Sequence, residues 1–191
     1  MKVTLVFPPM PSSGRVPAAP PVLEYLGALT LREAPDTDLT LVDANVSAFD
    51  PERVDADLVG ISAMTATATW AYRTADALRA RGIRVVLGGI HPSALPDEAA
   101  EHADAVVVGE AESVWGSVLT DAAAGRLQRF YQGVRLPLDD LPTPTFGAPK
   151  GSYLLPPLGI ASVRPSRFTL CRLPPFFGAT VQLRPHRSGL S

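Results

Sequence analysis

Short apolar runs alternate with amphipathic stretches over about the first 130 residues. Residues 3–7 form a mostly apolar run closed by Pro8-Pro9, the pattern of a buried strand. Pro20-Pro21 opens a helix through Ala34, since proline suits a first helical turn; Val22, Leu26 and Leu29 share one face. Residues 39–42 predict a second strand ending at Asp43, and 58–62 a third. A long helix is expected over 68–81, with Ala71, Ala75 and Leu78 on one face and Gly82 as its stop. Residues 84–87 read as a fourth strand closed by Gly88-Gly89. A short helix follows over 97–102, then a fifth strand over 105–108 closed by Gly109. A last helix runs from Glu110 to about Ala124, with Gly125 after it.

Apolar strands separated by helices call for a parallel sheet covered on both faces. With right-handed crossovers, the simplest solution for five strands is a flavodoxin-like, doubly wound α/β fold of order 2-1-3-4-5. An irregular C-terminal tail follows. Ligands of such sheets bind outside the carboxyl ends of the strands. The loops of interest therefore span residues 8–15, 63–67, 88–96 and 109–112.

Composition divides the chain in two. Residues 1–149 hold 11 of the 17 Lys and Arg and all 19 acids, a net charge of −8. Residues 150–191 hold Lys150 and five arginines with no acid, a net charge of +6, and ten of the 20 prolines fall at or after Pro137. The overall charge of −2 does not point to nucleic acid. No apolar run exceeds six residues, against the roughly 20 that span a bilayer. The N-terminus lacks the longer apolar stretch of a signal peptide. A single cysteine, Cys171, excludes an internal disulfide and an all-cysteine metal cluster built from this chain alone. A cytoplasmic protein without a membrane association is the expectation.

The common ligands of this architecture leave specific marks, and these are missing. The first strand runs into Pro-Pro-Met-Pro-Ser-Ser-Gly rather than a Gly-x-Gly-x-x-Gly turn, and no Walker A loop occurs. Ser62 stands where a phosphoacceptor domain needs an aspartate, and Asp43 would stand alone. The loop Ser62-Ala63-Met64-Thr65-Ala66-Thr67 is small and hydroxyl-rich, ahead of a helix. It either admits a bulky ligand close to the backbone or simply caps the helix. Gly88-Gly89 permits close backbone contact, and His91 beside it is either a ligand contact or a packed polar residue. Gly109 allows close approach, while Glu110 and Glu112 either face a ligand or favour the positive end of the next helix. His102 is expected to be solvated and His186 has no visible partner; the three histidines are too scattered for a metal site.

Taken in order, several segments resemble one known family. They are Leu5-Val6-Phe7-Pro8-Pro9, Pro20-Pro21-Val22-Leu23-Glu24-Tyr25-Leu26, Asp57-Leu58-Val59-Gly60-Ile61-Ser62, Val86-Leu87-Gly88-Gly89-Ile90-His91-Pro92 and Val107-Val108-Gly109-Glu110. Together with the linker Leu138-Asp139-Asp140-Leu141-Pro142, they are similar to the N-terminal cobalamin-binding domain of B12-dependent radical SAM enzymes. The resemblance implies a cobalamin over the carboxyl ends of the strands. Its nucleotide tail would enter beside Ser62, Ala63, Met64, Thr65 and Thr67 and beside Gly88 and Gly89, with His91 in the same loop. Pro8, Pro9, Met10, Gly109 and Glu110 would border the corrin. The Asp-x-His-x-x-Gly motif that supplies an axial histidine in methionine synthase-type domains does not occur, so no cobalt ligand is named.

The same resemblance divides the chain into a cobalamin-binding domain (1–133), a Pro-rich linker (134–160) and a degenerate start of a radical SAM domain (161–191). Family members carry Cys-x-x-x-Cys-x-x-Cys there. Laid without gaps on this pattern, Arg164 and Phe168 replace the first two cysteines, while Pro165 and Cys171 keep their places. Arginine and phenylalanine offer iron no donor, so no 4Fe-4S cluster is expected and no SAM-derived radical from this chain. Ser191 follows far short of the roughly 200 residues of a barrel. The expectation is a cobalamin-binding protein that lacks its own cluster site. One alternative is the cobalamin-carrying half of a two-chain methyltransferase, working with a separate radical SAM protein. The other is an interaction module that has lost the cofactor.

Overall fold

The structure, a computed structural model, describes residues 1–11 and 20–136. Residues 137–191, with Cys171, the degenerate cluster motif and nearly all of the proposed linker, lie outside the described residues, as do residues 12–19.

Six parallel strands form one sheet: β1 (Lys2–Phe7), β2 (Asp38–Asp43), β3 (Leu58–Ser62), β4 (Arg84–Gly88), β5 (Ala105–Val108) and β6 (Phe130–Gln132). Their order is β2-β1-β3-β4-β5-β6. The expected doubly wound α/β fold is present with the expected order of its first five strands. The strand count needs correction, because β6 extends the edge through pairs such as Val107↔Tyr131. Three residues are too few to show a period of two, and only β5 makes them a strand.

The helices are α1 (Pro21–Glu33), α2 (Ala68–Ala80), α3 (Ile90–Ala94), α4 (Pro96–His102) and α5 (Trp115–Ala123). Helices α2 and α4 cover one face, where Ala71, Ala75 and Leu78 meet Val59, Ile61, Leu87 and Val106. Helices α1 and α5 cover the other, where Leu23, Leu29, Val118 and Leu119 meet Val3, Leu5, Val86 and Val107. Alternate residues of each central strand thus enter opposite cores, which is why these strands read as continuous apolar runs.

Three local expectations change. Helix α3 lies inside the stretch read as a loop; Pro92 is its third residue, in the first turn where proline is tolerated. The last helix begins at Trp115, after a tight 3-10 turn over Ala111–Ser113, rather than at Glu110. His102 is not simply solvated: its ring stacks on Tyr72 with centroids 4.4 Å apart, and Nδ1 lies 2.9 Å from Asp76.

Candidate functional site

A cavity of about 200 Å3 opens at the carboxyl ends of the strands, between the sheet and α1. Its origin is legible in the strands. Gly60 and Gly88 project toward the α1 face but carry no side chain. A Cβ on Gly60 would lie 2.9 Å from Leu5 and 3.3 Å from Trp115; one on Gly88 would lie 3.7 Å from Val107. Leu5 and Trp115 close up against Gly60, whereas the missing side chain at Gly88 leaves room, and Val22, Tyr25 and Leu26 of α1 line the cavity from the other side. This explains why Val22 and Leu26 are only half-buried while Leu29, on the same face, is fully buried.

The walls are held in place by one hydrogen-bond chain. The Trp115 indole N–H donates to Thr30 Oγ1 at 2.8 Å, and that hydroxyl donates to the Leu26 carbonyl at 2.7 Å. Helices α1 and α5 are thereby tied to one another.

The mouth is made by three loops. Ala63 N–H donates to the Gly88 carbonyl at 2.8 Å, and the Ala63 carbonyl accepts from His91 N–H at 3.2 Å. Gly89 lies within this stitch with φ +100°, and a Cβ there would sit 2.7 Å from the Ala63 carbonyl oxygen. Only glycine suits that conformation and that clearance. Gly109 donates its N–H to Ser93 Oγ at 2.9 Å, and Glu110 and Glu112 complete the rim.

Among the residues expected from the sequence, Ser62, Gly88, Gly89, Gly109 and Glu110 line this cavity together. The others lie beside it. Ala63 is buried in the core on the α2 side. Thr67 Oγ1 accepts from Met64 N–H and donates to the Met64 carbonyl, both at 3.1 Å, so this hydroxyl closes its own turn. Thr65 is exposed, with Oγ1 3.4 Å from His91 Nδ1. His91 is buried; its Nε2 lies 3.4 Å from Glu98 and its ring centroid 5.8 Å from that of Tyr72. Its ring nitrogens therefore face protein partners.

Pro8, Pro9 and Met10 follow β1 and are tied to the turn after β2. Met10 N–H donates to Asn45 Oδ1 at 2.7 Å, and Asn45 Nδ2 donates to Asp43 at 2.6 Å. Asp43 is therefore the buried base of a turn that sets the β1 loop, rather than a solitary carboxylate.

Sequence reasoning passed over Tyr25, Trp115 and Asn45. The spacing of Val22, Tyr25 and Leu26 on the first turns of α1 was the available signal for the roof. Nothing local marks Trp115 or Asn45, whose roles come from strands and helices distant in the chain. Two buried polar groups on α1 also emerge. The Tyr25 hydroxyl is buried without a hydrogen-bond partner among the described residues, as is Glu24 Oε1. Burial, reinforced by the negative charge of Glu112, pushes the Tyr25 phenol up to about 12. Burial alone raises the Glu24 carboxyl above its ordinary value. Among the described residues no group of three or more His, Cys, Asp or Glu is placed to hold a metal ion, and no helix is long and apolar enough to cross a membrane.

A doubly wound parallel sheet with a small apolar cavity under glycine-rich loops defines a ligand-binding α/β domain. The chain belongs to the B12-binding domain family, whose model matches residues 23–119, and the domain implies cobalamin. It is similar to the bacteriochlorophyllide d C-8(2)-methyltransferase of Chlorobaculum tepidum, at 45% identity over 112 residues, 59% of this chain and 25% of that protein. It is also similar to the bacteriochlorophyllide d C-12(1)-methyltransferase of the same organism, at 32% identity over 156 residues, 77% of this chain and 34% of that protein. The chain thus spans between a quarter and a third of the length of these curated relatives.

Proposed function

We propose that the chain binds cobalamin at the carboxyl ends of its strands and carries it for a methyl-transfer reaction completed by another protein. The observation that carries the reading is the cavity itself. Its volume of about 200 Å3 lies below the roughly 300–1,000 Å3 of pockets that enclose a whole small molecule, so it suits one flat part of a larger ligand. Its floor is apolar and stripped of side chains at Gly60 and Gly88. An uncharged ring such as the base of the cobalamin nucleotide meets those conditions.

The residues then divide the work. Val22, Leu26 and Trp115 exclude water from the ring. Ser62, Gly88 and Gly89 let the nucleotide linker pass close to the backbone. Pro8, Pro9 and Met10, positioned by Asn45, border the corrin from one side, with Gly109 and Glu110 on the other. Ala63, Met64, Thr65, Thr67 and His91 shape and brace the loop beneath it. Bound cobalamin supplies a cobalt centre able to accept and donate a methyl group. Arg164 and Phe168, where similar enzymes carry cysteines, lead us to assign no 4Fe-4S cluster to this chain and to look for a radical SAM partner that brings one.

The cobalamin-binding reading is favoured over an interaction module without cofactor by the apolar cavity, since a domain keeping only its fold has no use for such a void. Its test is a titration of the purified full chain with hydroxocobalamin, followed by gel filtration and visible spectra. A coloured complex of one corrinoid per chain is the expected result. A folded sample that elutes colourless refutes the reading.

A further inference from the structure

We propose that the Tyr25 phenol selects for the nucleotide base of the corrinoid, donating a hydrogen bond to a ring nitrogen of the heterocycle seated in the cavity. The inference rests on the cobalamin reading and goes beyond it, because it assigns one atom of this chain to one atom type of the ligand.

Four observations converge on that hydroxyl. Tyr25 lines the cavity from the first turns of α1. Its hydroxyl is buried and has no partner among the described residues. Buried polar atoms are nearly always paired, so an orphan hydroxyl on a residue that lines a cavity points to a partner that arrives with a ligand. The Trp115 indole N–H, another side-chain donor of the walls, is already used, because it donates to Thr30. The remaining polar side chains among the described lining residues are Ser62 at the end of β3 and the carboxylates Glu110 and Glu112.

Charge decides which part of the ligand enters. No lysine or arginine stands among the described lining residues, and two carboxylates do. A phosphodiester is therefore disfavoured inside, and a neutral ring is favoured. The same carboxylates act on Tyr25 and help to hold its proton, so the phenol is a donor throughout the working pH range. A neutral aromatic base whose ring nitrogen is not bound to cobalt offers one in-plane acceptor, the complement of one phenolic donor.

The test compares hydroxocobalamin with aquocobinamide, a corrinoid lacking the nucleotide and its base. Both are titrated by visible absorbance against the full chain and against Tyr25→Phe, with thermal melting as a control on folding. Wild type is expected to bind cobalamin more tightly than cobinamide. Tyr25→Phe is expected to weaken cobalamin about 3- to 10-fold and to leave cobinamide within about twofold. Equal weakening of both corrinoids, or unchanged cobalamin affinity, overturns the assignment. Equal wild-type affinity for the two overturns it as well and leaves cobalamin binding standing. Failure of the wild type to bind either refutes the cobalamin reading itself.

Discussion

Gly88 and Gly89 are adjacent in sequence and should respond to substitution in opposite ways. Gly88 ends β4 in an ordinary strand conformation, and a Cβ there would sit 3.7 Å from Val107, a normal packing distance. In Gly88→Leu the new side chain extends into the cavity rather than into protein. The fold should change by no more than about 1 kcal/mol, since glycine is itself a poor strand residue. Gly89 has φ +100° and a Cβ position 2.7 Å from the Ala63 carbonyl and 3.1 Å from Ser62 Oγ. Gly89→Ala must bear about 1–3 kcal/mol of backbone strain and a comparable sum for parting the β3 and β4 loops, roughly 2–6 kcal/mol together. That is a large fraction of the roughly 5–15 kcal/mol that holds an ordinary domain together. Urea unfolding measures the stabilities, and hydroxocobalamin titration measures the site. Gly88→Leu should unfold like wild type and bind cobalamin at least about tenfold more weakly. Gly89→Ala should lose stability first. Wild-type cobalamin affinity in a well-folded Gly88→Leu would remove the base from this cavity. A Gly89→Ala variant as stable as wild type would refute the stitched-loop geometry.

Two further predictions concern α1. Thr30→Val keeps the shape of a fully buried side chain but leaves the Trp115 indole N–H without its acceptor, so a loss of about 1–3 kcal/mol is expected in urea unfolding, with a red-shift of the tryptophan fluorescence on loosening; unchanged stability would show that the bond is not formed. Burial raises the Glu24 carboxyl above its reference value of 4.5, so the folded chain keeps this proton to higher pH than the unfolded chain does. Its contribution to stability is therefore full below pH 4.5 and is lost as pH rises through the folded value. Glu24→Gln should gain about 1 kcal/mol over wild type at pH 8 and nothing at pH 4, read as the difference in urea midpoints at each pH. An equal gain at both pH values would assign the effect to packing instead of charge.

The strands and long helices were legible because burial on two faces forces a distinctive pattern. Residues 58–62 and 105–108 could only be short apolar strands, and Ala71, Ala75 and Leu78 mark one stripe at helical spacing, all fully buried in the structure. The glycines after β4 and β5 were equally plain as points of close approach. Neighbouring chemistry was harder to divide. Ser62 and Thr67 belong to one hydroxyl-rich loop, yet Ser62 lines the cavity while Thr67 closes a turn. Residues 60 and 62 share a strand face, whereas Thr67 lies beyond the strand, where direction follows the turn.

By itself, then, the sequence determined which segments are strands and helices and which loops stand at the carboxyl ends of the sheet, because periodicity and glycine punctuation are local properties of the chain. The tertiary structure alone decided what stands around the cavity. Three residues at 130–132 become a strand only through β5. Asn45 shapes the β1 loop from 35 positions away, and Trp115 reaches Thr30 across 85. Tyr25 of α1 and Gly60 and Gly88 of the sheet line one cavity, and the Tyr25 hydroxyl is buried without a partner among the described residues. Such relations depend on crossovers that bring distant segments together, and no local pattern of residues encodes them.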